Sequence, residues 1–232
     1  MQQDSVKIEP YTGPPIYLDE PHTVVVEPKV VATEVVPNAL GDGKVEREVA
    51  RYSDNSFAAN GFYKEYYPNG KVFIDGQFRK GRQDGEWKYY FDNGQVNRKM
   101  SFKDGKPNGS WEVFRADGTL AAKRGFKDGK RDGEWTKYDD TGKKPLSEEH
   151  YVAGAEDGVW KTWYPSGQQK QQVGFKNGKR DGTNIEWDDK GQKLGEAQWV
   201  DGKLHGTFTR WLSNGKTVVV QYDNGKVMSA TK

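Results

Sequence analysis

Gly85-Glu-Trp-Lys-Tyr-Tyr-Phe-Asp-Asn-Gly94, followed by Phe102-Lys-Asp-Gly105-Lys, is the stretch that decides the fold of this chain. The pattern returns as Gly158-Val-Trp-Lys-Thr-Trp-Tyr-Pro-Ser-Gly167 and Phe175-Lys-Asn-Gly178-Lys-Arg-Asp-Gly182. Self-similarity at a fixed period sets the architecture and is read before local propensity. Copies begin at Gly61, Gly85, Gly109, Gly133, Gly158, Gly182 and Gly206, at intervals of 24 residues with a single interval of 25. A partial copy runs from Val45 through Tyr52.

Each copy carries two further glycines. The second stands in Asn69-Gly70, Asn93-Gly94, Asp117-Gly118 and Asn214-Gly215; the third in Asp104-Gly105, Asp128-Gly129, Asn177-Gly178, Asp201-Gly202 and Asn224-Gly225. Asn-Gly and Asp-Gly favour two-residue type I′ hairpin turns, whose central residues both need positive φ. Two such turns per copy predict two strands per copy. The expected fold is therefore all-β: an antiparallel meander of tandem ~24-residue hairpins, about fourteen strands in an elongated or curled single sheet. A propeller would need four strands per blade and does not divide the copies evenly. Turns this frequent leave no room for helical repeats.

Periodicity assigns the faces. With the first glycine as position zero and the turn centred on positions eight and nine, position two pairs with fifteen and zero with seventeen. Position two holds Tyr63, Trp87, Trp111, Trp135, Trp160 and Phe208, with Asn184 in the copy at Gly182. Position seventeen holds Phe78, Phe102, Phe126, Phe175 and Trp199, with Tyr151 and Tyr222 in the copies carrying a one-residue indel. Both columns fall on one face, the expected core. Position five falls on the other: Tyr66, Tyr90, Phe114, Tyr138, Trp163, Trp187 and Trp211. Its neighbours there are mostly polar, such as Lys64, Lys88, Asp75 and Lys99. This stripe reads either as structural, buried by curvature or rotated inward by a bulge, or as a binding ridge, since Tyr and Trp are favoured interface anchors.

Residues 1–44 read as a proline-rich extended arm or linker, with six of the ten prolines and a formal charge of −4; residues 45–232 form the repeat domain. The stretches Val24–Val26 and Val30–Val36 retain the option of pairing as edge strands. The whole chain carries +2 from 36 basic and 34 acidic residues, which gives no electrostatic footprint for nucleic acid. With no cysteine there is neither a disulfide nor a thiolate metal site. His22, His150 and His205 sit in no catalytic motif, Asn214-Gly215-Lys216-Thr217 lacks the upstream glycine of a phosphate loop, and the Asp-Gly pairs are turn chemistry rather than calcium ligands. The expectation is no catalytic residue, no metal and no cofactor. The sequon Asn108-Gly109-Ser110 recurs nowhere else.

The copies at Gly85 and Gly158 resemble the bacterial MORN-repeat variant, and within it the YwqK family, described as the antitoxin component of a toxin–antitoxin module. The resemblance spans residues 61–232 and implies a non-enzymatic scaffold with a protein partner, such as a toxin to be neutralised. The Val- and Pro-rich arm has no counterpart in that motif and points to an exported or cell-envelope protein over a cytoplasmic one. The alternative is then a surface glycan or cell-wall binder, with membrane contact only through an N-terminal segment removed before position 1.

Overall fold

The computed structural model describes residues 29–39, 41, 43–52 and 54–231; residues 1–28, with Val24–Val26 and most of the arm, lie outside the described residues. Every regular element is a β-strand, and the nineteen strands belong to one antiparallel sheet in meander order. β1 (Lys29–Pro37) and β2 (Lys44–Arg51) come before the repeats. The copies then supply β3 (Phe57–Tyr66) with β4 (Val72–Arg79), β5 (Arg82–Tyr90) with β6 (Val96–Lys103), β7 (Lys106–Phe114) with β8 (Leu120–Lys127), and β9 (Lys130–Tyr138) with β10 (Pro145–Val152). Next are β11 (Ala155–Glu156) and β12 (Gly158–Trp163) with β13 (Gln169–Lys176), β14 (Lys179–Arg180) and β15 (Gly182–Trp187) with β16 (Lys193–Val200), β17 (Lys203–Trp211) with β18 (Thr217–Asp223), and β19 (Lys226–Thr231). The count exceeds fourteen for two reasons. β11 and β14 are short leads broken from β12 and β15 at Asp157 and Asp181, and β1, β2 and β19 lie outside the seven hairpins. The Val30–Val36 stretch does pair, as part of β1 against β2, with Val36 opposite Val45.

The two turn families differ. At the third glycine the turn is the expected two-residue type I′: Asp104 and Gly105 have φ of 49° and 78°, and Lys176 pairs with Lys179 around Asn177-Gly178. At the second glycine the expectation is corrected. Only the glycine takes positive φ there; Asn69, Asn93, Asp117 and Asn214 do not. The Gly70 N–H donates to Tyr67 O at 2.9 Å and the Tyr67 N–H to Lys71 O at 2.8 Å, which closes a three-residue loop ending in a left-handed glycine. The strand registers still match the expectation, Gly61 opposite Phe78 and Tyr63 opposite Gly76, because a one-residue bulge offsets the longer loop: Glu65 pairs with Ile74 but Tyr66 with Val72.

The same geometry accounts for both indels. In the copy at Gly133 the extra residue lies in the loop, which closes from the Asp139 N–H to Lys144 O at 2.9 Å, while the bulge between Pro145 and Ser147 remains. The last copy, one residue short, pairs Gly206–Trp211 with Tyr222–Thr217 without a shift, so the residue it lacks is the bulge itself.

The chain forms two compact units, the described residues to 109 with 116–118, and residues 110–115 with 119–231. In the first, Tyr63–Phe78, Phe78–Trp87 and Trp87–Phe102 ring centroids lie 5.5, 5.0 and 6.3 Å apart. In the second the ladder runs Trp111–Phe126, Phe126–Trp135, Trp135–Tyr151, Tyr151–Trp160 and Trp160–Phe175 at 4.4 to 5.4 Å. Positions two and seventeen therefore build a core of interlocked rings, with Trp87 only 2% exposed. The indole N–H groups of Trp87, Trp135 and Trp160 donate to the carbonyls of Gln77, Gly125 and His150 at 2.9–3.1 Å. Asn184 takes the tryptophan slot with reversed polarity: its Oδ1 accepts the Gly174 N–H at 3.1 Å.

Candidate binding face

Position five lies on the face opposite the ladder, as expected from alternation. In the first unit Tyr66 donates its hydroxyl to Glu46 Oε2 at 2.8 Å, and Lys44 Nζ sits 4.5 Å from its ring centre while pairing with Glu46. Burial, then the Glu46 carboxylate, pushes the Tyr66 phenol up; bonds from Lys44 and Tyr66 hold Glu46 below the usual carboxylate range. Tyr90 is half-buried, its phenol raised by burial and then by Asp75. Tyr66 is thus already engaged by its own chain.

The second unit presents the stripe differently. Phe114, Tyr138, Trp163, Trp187 and Trp211 are all half-buried. The registers place four of them in line across the strands. Pro145 faces Tyr138, and Ser147 faces Thr162 beside Trp163. Gln169 faces Trp163, and Gln171 faces Glu186 beside Trp187. Lys193 faces Trp187, and Gly195 faces Arg210 beside Trp211. The members are two strands apart, about 9.6 Å at about 4.8 Å per strand. Among the described residues the indole N–H groups of Trp163, Trp187 and Trp211 make no hydrogen bond, unlike those of Trp87, Trp135 and Trp160; the ladder residue Trp199 also leaves its indole N–H unpaired, but buried.

Three position-five backbones are anchored by the copy before them. The hydroxyls of Tyr67 and Tyr164 donate to the carbonyls of Tyr90 and Trp187 at 2.7 and 3.0 Å, and Arg115 Nη2 donates to Tyr138 O at 3.0 Å. Beside Trp163 lies an open groove of about 530 Å³, lined also by Lys144, Ser166, Gln168 and Asp189. Sequence reasoning missed these groove residues because each belongs to a turn and reads as turn chemistry. It also missed the Asx residue preceding the first glycine. Asn60, Asp132, Asp157 and Asp181 each cap the backbone N–H at the next hairpin turn, on Lys80, Ala153, Asn177 and Asp201, at 2.9–3.2 Å. The recurrence of that residue one place before every first glycine except Gly206, which follows His205, was the available signal.

Residues 60–80, 83–104 and 156–177 match the family model of the MORN repeat variant. The matches fall on three of the copies and support a MORN-repeat protein, a β-hairpin repeat scaffold of a generally non-enzymatic kind. No curated protein matches the chain. The ladder is the packing element common to the copies of this chain, and the position-five residues are what each copy leaves on its other face.

Proposed function

We propose that this chain is a non-enzymatic repeat scaffold that binds a protein partner through the aromatic row Tyr138, Trp163, Trp187 and Trp211. One observation carries the reading: the row tryptophans Trp163, Trp187 and Trp211 keep unpaired indole N–H groups on a half-buried face, whereas Trp87, Trp135 and Trp160 of the ladder spend theirs on backbone carbonyls and the unpaired indole N–H of the ladder residue Trp199 is sealed from solvent. Such side chains offer apolar area and a directed donor at low entropic cost, the profile of an interface anchor. Tyr66 and Tyr90 continue the stripe pattern in the first unit, where Tyr66 is held by Glu46 and Lys44. Toxin neutralisation is one form of such binding, supported by the family resemblance alone. Glycan stacking on the same rings is the competing reading.

The test is site-specific photo-crosslinking. A photoreactive phenylalanine analogue replacing Trp187 captures a protein partner in cells of the source organism, and the same analogue at the exposed turn residue Ser213 does not. Equal capture of nothing specific at both sites counts against the reading.

A further inference from the structure

We propose that the row in the second unit binds a proline-rich segment in polyproline II conformation, laid across the strands; this rests on the protein-binding reading above. The row has a period, and the period selects the ligand's conformation. Successive aromatics stand about 9.6 Å apart, two strand spacings. A polyproline II chain has three residues per turn at about 3.1 Å each, so it repeats every ~9.3 Å. The mismatch, about 0.3 Å per copy, accumulates to less than ~1 Å from Tyr138 to Trp211. An extended β-strand returns the same face every ~6.7 Å and an α-helix turns every ~5.4 Å; both lose phase at the first step.

Hydrogen bonding agrees. A polyproline II chain has no internal hydrogen bonds and displays solvated carbonyls as acceptors. The row offers donors in matching supply: the indole N–H groups of Trp163, Trp187 and Trp211, none of which has an acceptor among the described residues. Aromatic surfaces that pack proline rings are the usual platform for such segments.

Charge sets the direction. In the groove beside Trp163, Lys144 and Asp189 are both lining residues, and neither side chain has an ion pair among the described residues. Lys144 immediately precedes β10 and Asp189 lies in the turn two residues beyond β15, strands that stand three spacings or about 14 Å apart. That span corresponds to roughly four or five polyproline II residues. The preferred segment therefore places an acidic residue at Lys144 and a basic residue roughly four or five positions further on.

The experiment is fluorescence anisotropy with the full chain and labelled oligoprolines of roughly six, nine and twelve residues, beside Gly-Ser peptides of equal length and a β-linked oligosaccharide. Affinity for oligoproline is expected to rise about tenfold for each added turn, and the Gly-Ser peptides to stay inert. Trp187→Ala should weaken the longest oligoproline by about tenfold with an unchanged circular dichroism spectrum, and Trp187→Phe by less. The pair Lys144→Glu and Asp189→Lys should reverse the preference between Glu-(Pro)n-Lys and Lys-(Pro)n-Glu. Failure of every oligoproline to bind, a length dependence shared with Gly-Ser, or binding of the oligosaccharide alone overturns the inference. If a protein still crosslinks at position 187 while oligoprolines are inert, the binding face stands and only the polyproline assignment falls.

Discussion

Trp87 and Tyr90 lie three residues apart on β5 and face opposite ways, so truncating each to alanine separates the two aromatic systems. Trp87 is 2% exposed and touches Tyr63, Phe78 and Phe102. A buried tryptophan removes about 200 Å² from water, roughly 5 kcal/mol at about 25 cal/mol per Å². Alanine keeps about 1 kcal/mol of that, so Trp87→Ala should cost about 4 kcal/mol, within the usual range for such truncations. The lost bond to the Gln77 carbonyl adds to the penalty. Tyr90 is half-buried, and its carbonyl still accepts from Tyr67 after truncation. Tyr90→Ala should cost about 1–2 kcal/mol. Urea unfolding followed by circular dichroism gives both values, and native-state hydrogen exchange locates the damage. Because copies are stabilised by nearest neighbours, protection after Trp87→Ala should fall first in β3 to β6. Equal costs for the two variants, or a larger one for Tyr90→Ala, would refute the assignment of the ladder as the core.

Asn184→Ala leaves the buried Gly174 N–H without its acceptor and should cost about 1–3 kcal/mol, readable as a lower urea midpoint. Gly202→Ala forces a Cβ into a turn at φ 80° and should cost about 1–2 kcal/mol, against about 0.5–1.5 kcal/mol for Asp181→Ala, which removes only the side-chain cap on Asp201. Burial raises the phenols of Tyr63, Tyr89 and Tyr151, so the folded state favours their neutral forms. That contribution is intact below the ordinary tyrosine range, about pH 10, and is lost as pH climbs through the raised folded values. An ultraviolet titration should show these phenolates forming late and together with unfolding; early, independent ionisation would contradict their burial.

The parts of the fold legible from residues alone were those governed by strict alternation. Columns such as Trp87 and Phe102 landed on one face because the strand period is two and the copy period is even. The second-glycine turns were misread because Asn-Gly serves both a type I′ turn and the end of a three-residue loop, and only the bulge opposite Tyr66 distinguishes them. The first glycines looked like repeat markers, yet Gly61 takes φ of 114° within β3. Pairing across β4 and β5 also jumps from Asp75–Lys88 to Gln77–Asp84, a tertiary kink that no local turn signal encodes. For the candidate site, alternation placed the position-five residues on the face opposite the ladder. It did not reveal that Tyr66 is tied to Glu46, nor that Lys144 and Asp189 approach the groove from different copies.

The central claim is that the fold and the binding face use separate aromatic sets. Affinity capture from lysate and envelope fractions, with wild type beside the Trp163→Ala/Trp187→Ala/Trp211→Ala variant, tests it most directly. The account predicts a protein retained by wild type and lost from a variant whose circular dichroism is unchanged. Retention of the same protein in equal amount by the folded variant would contradict it.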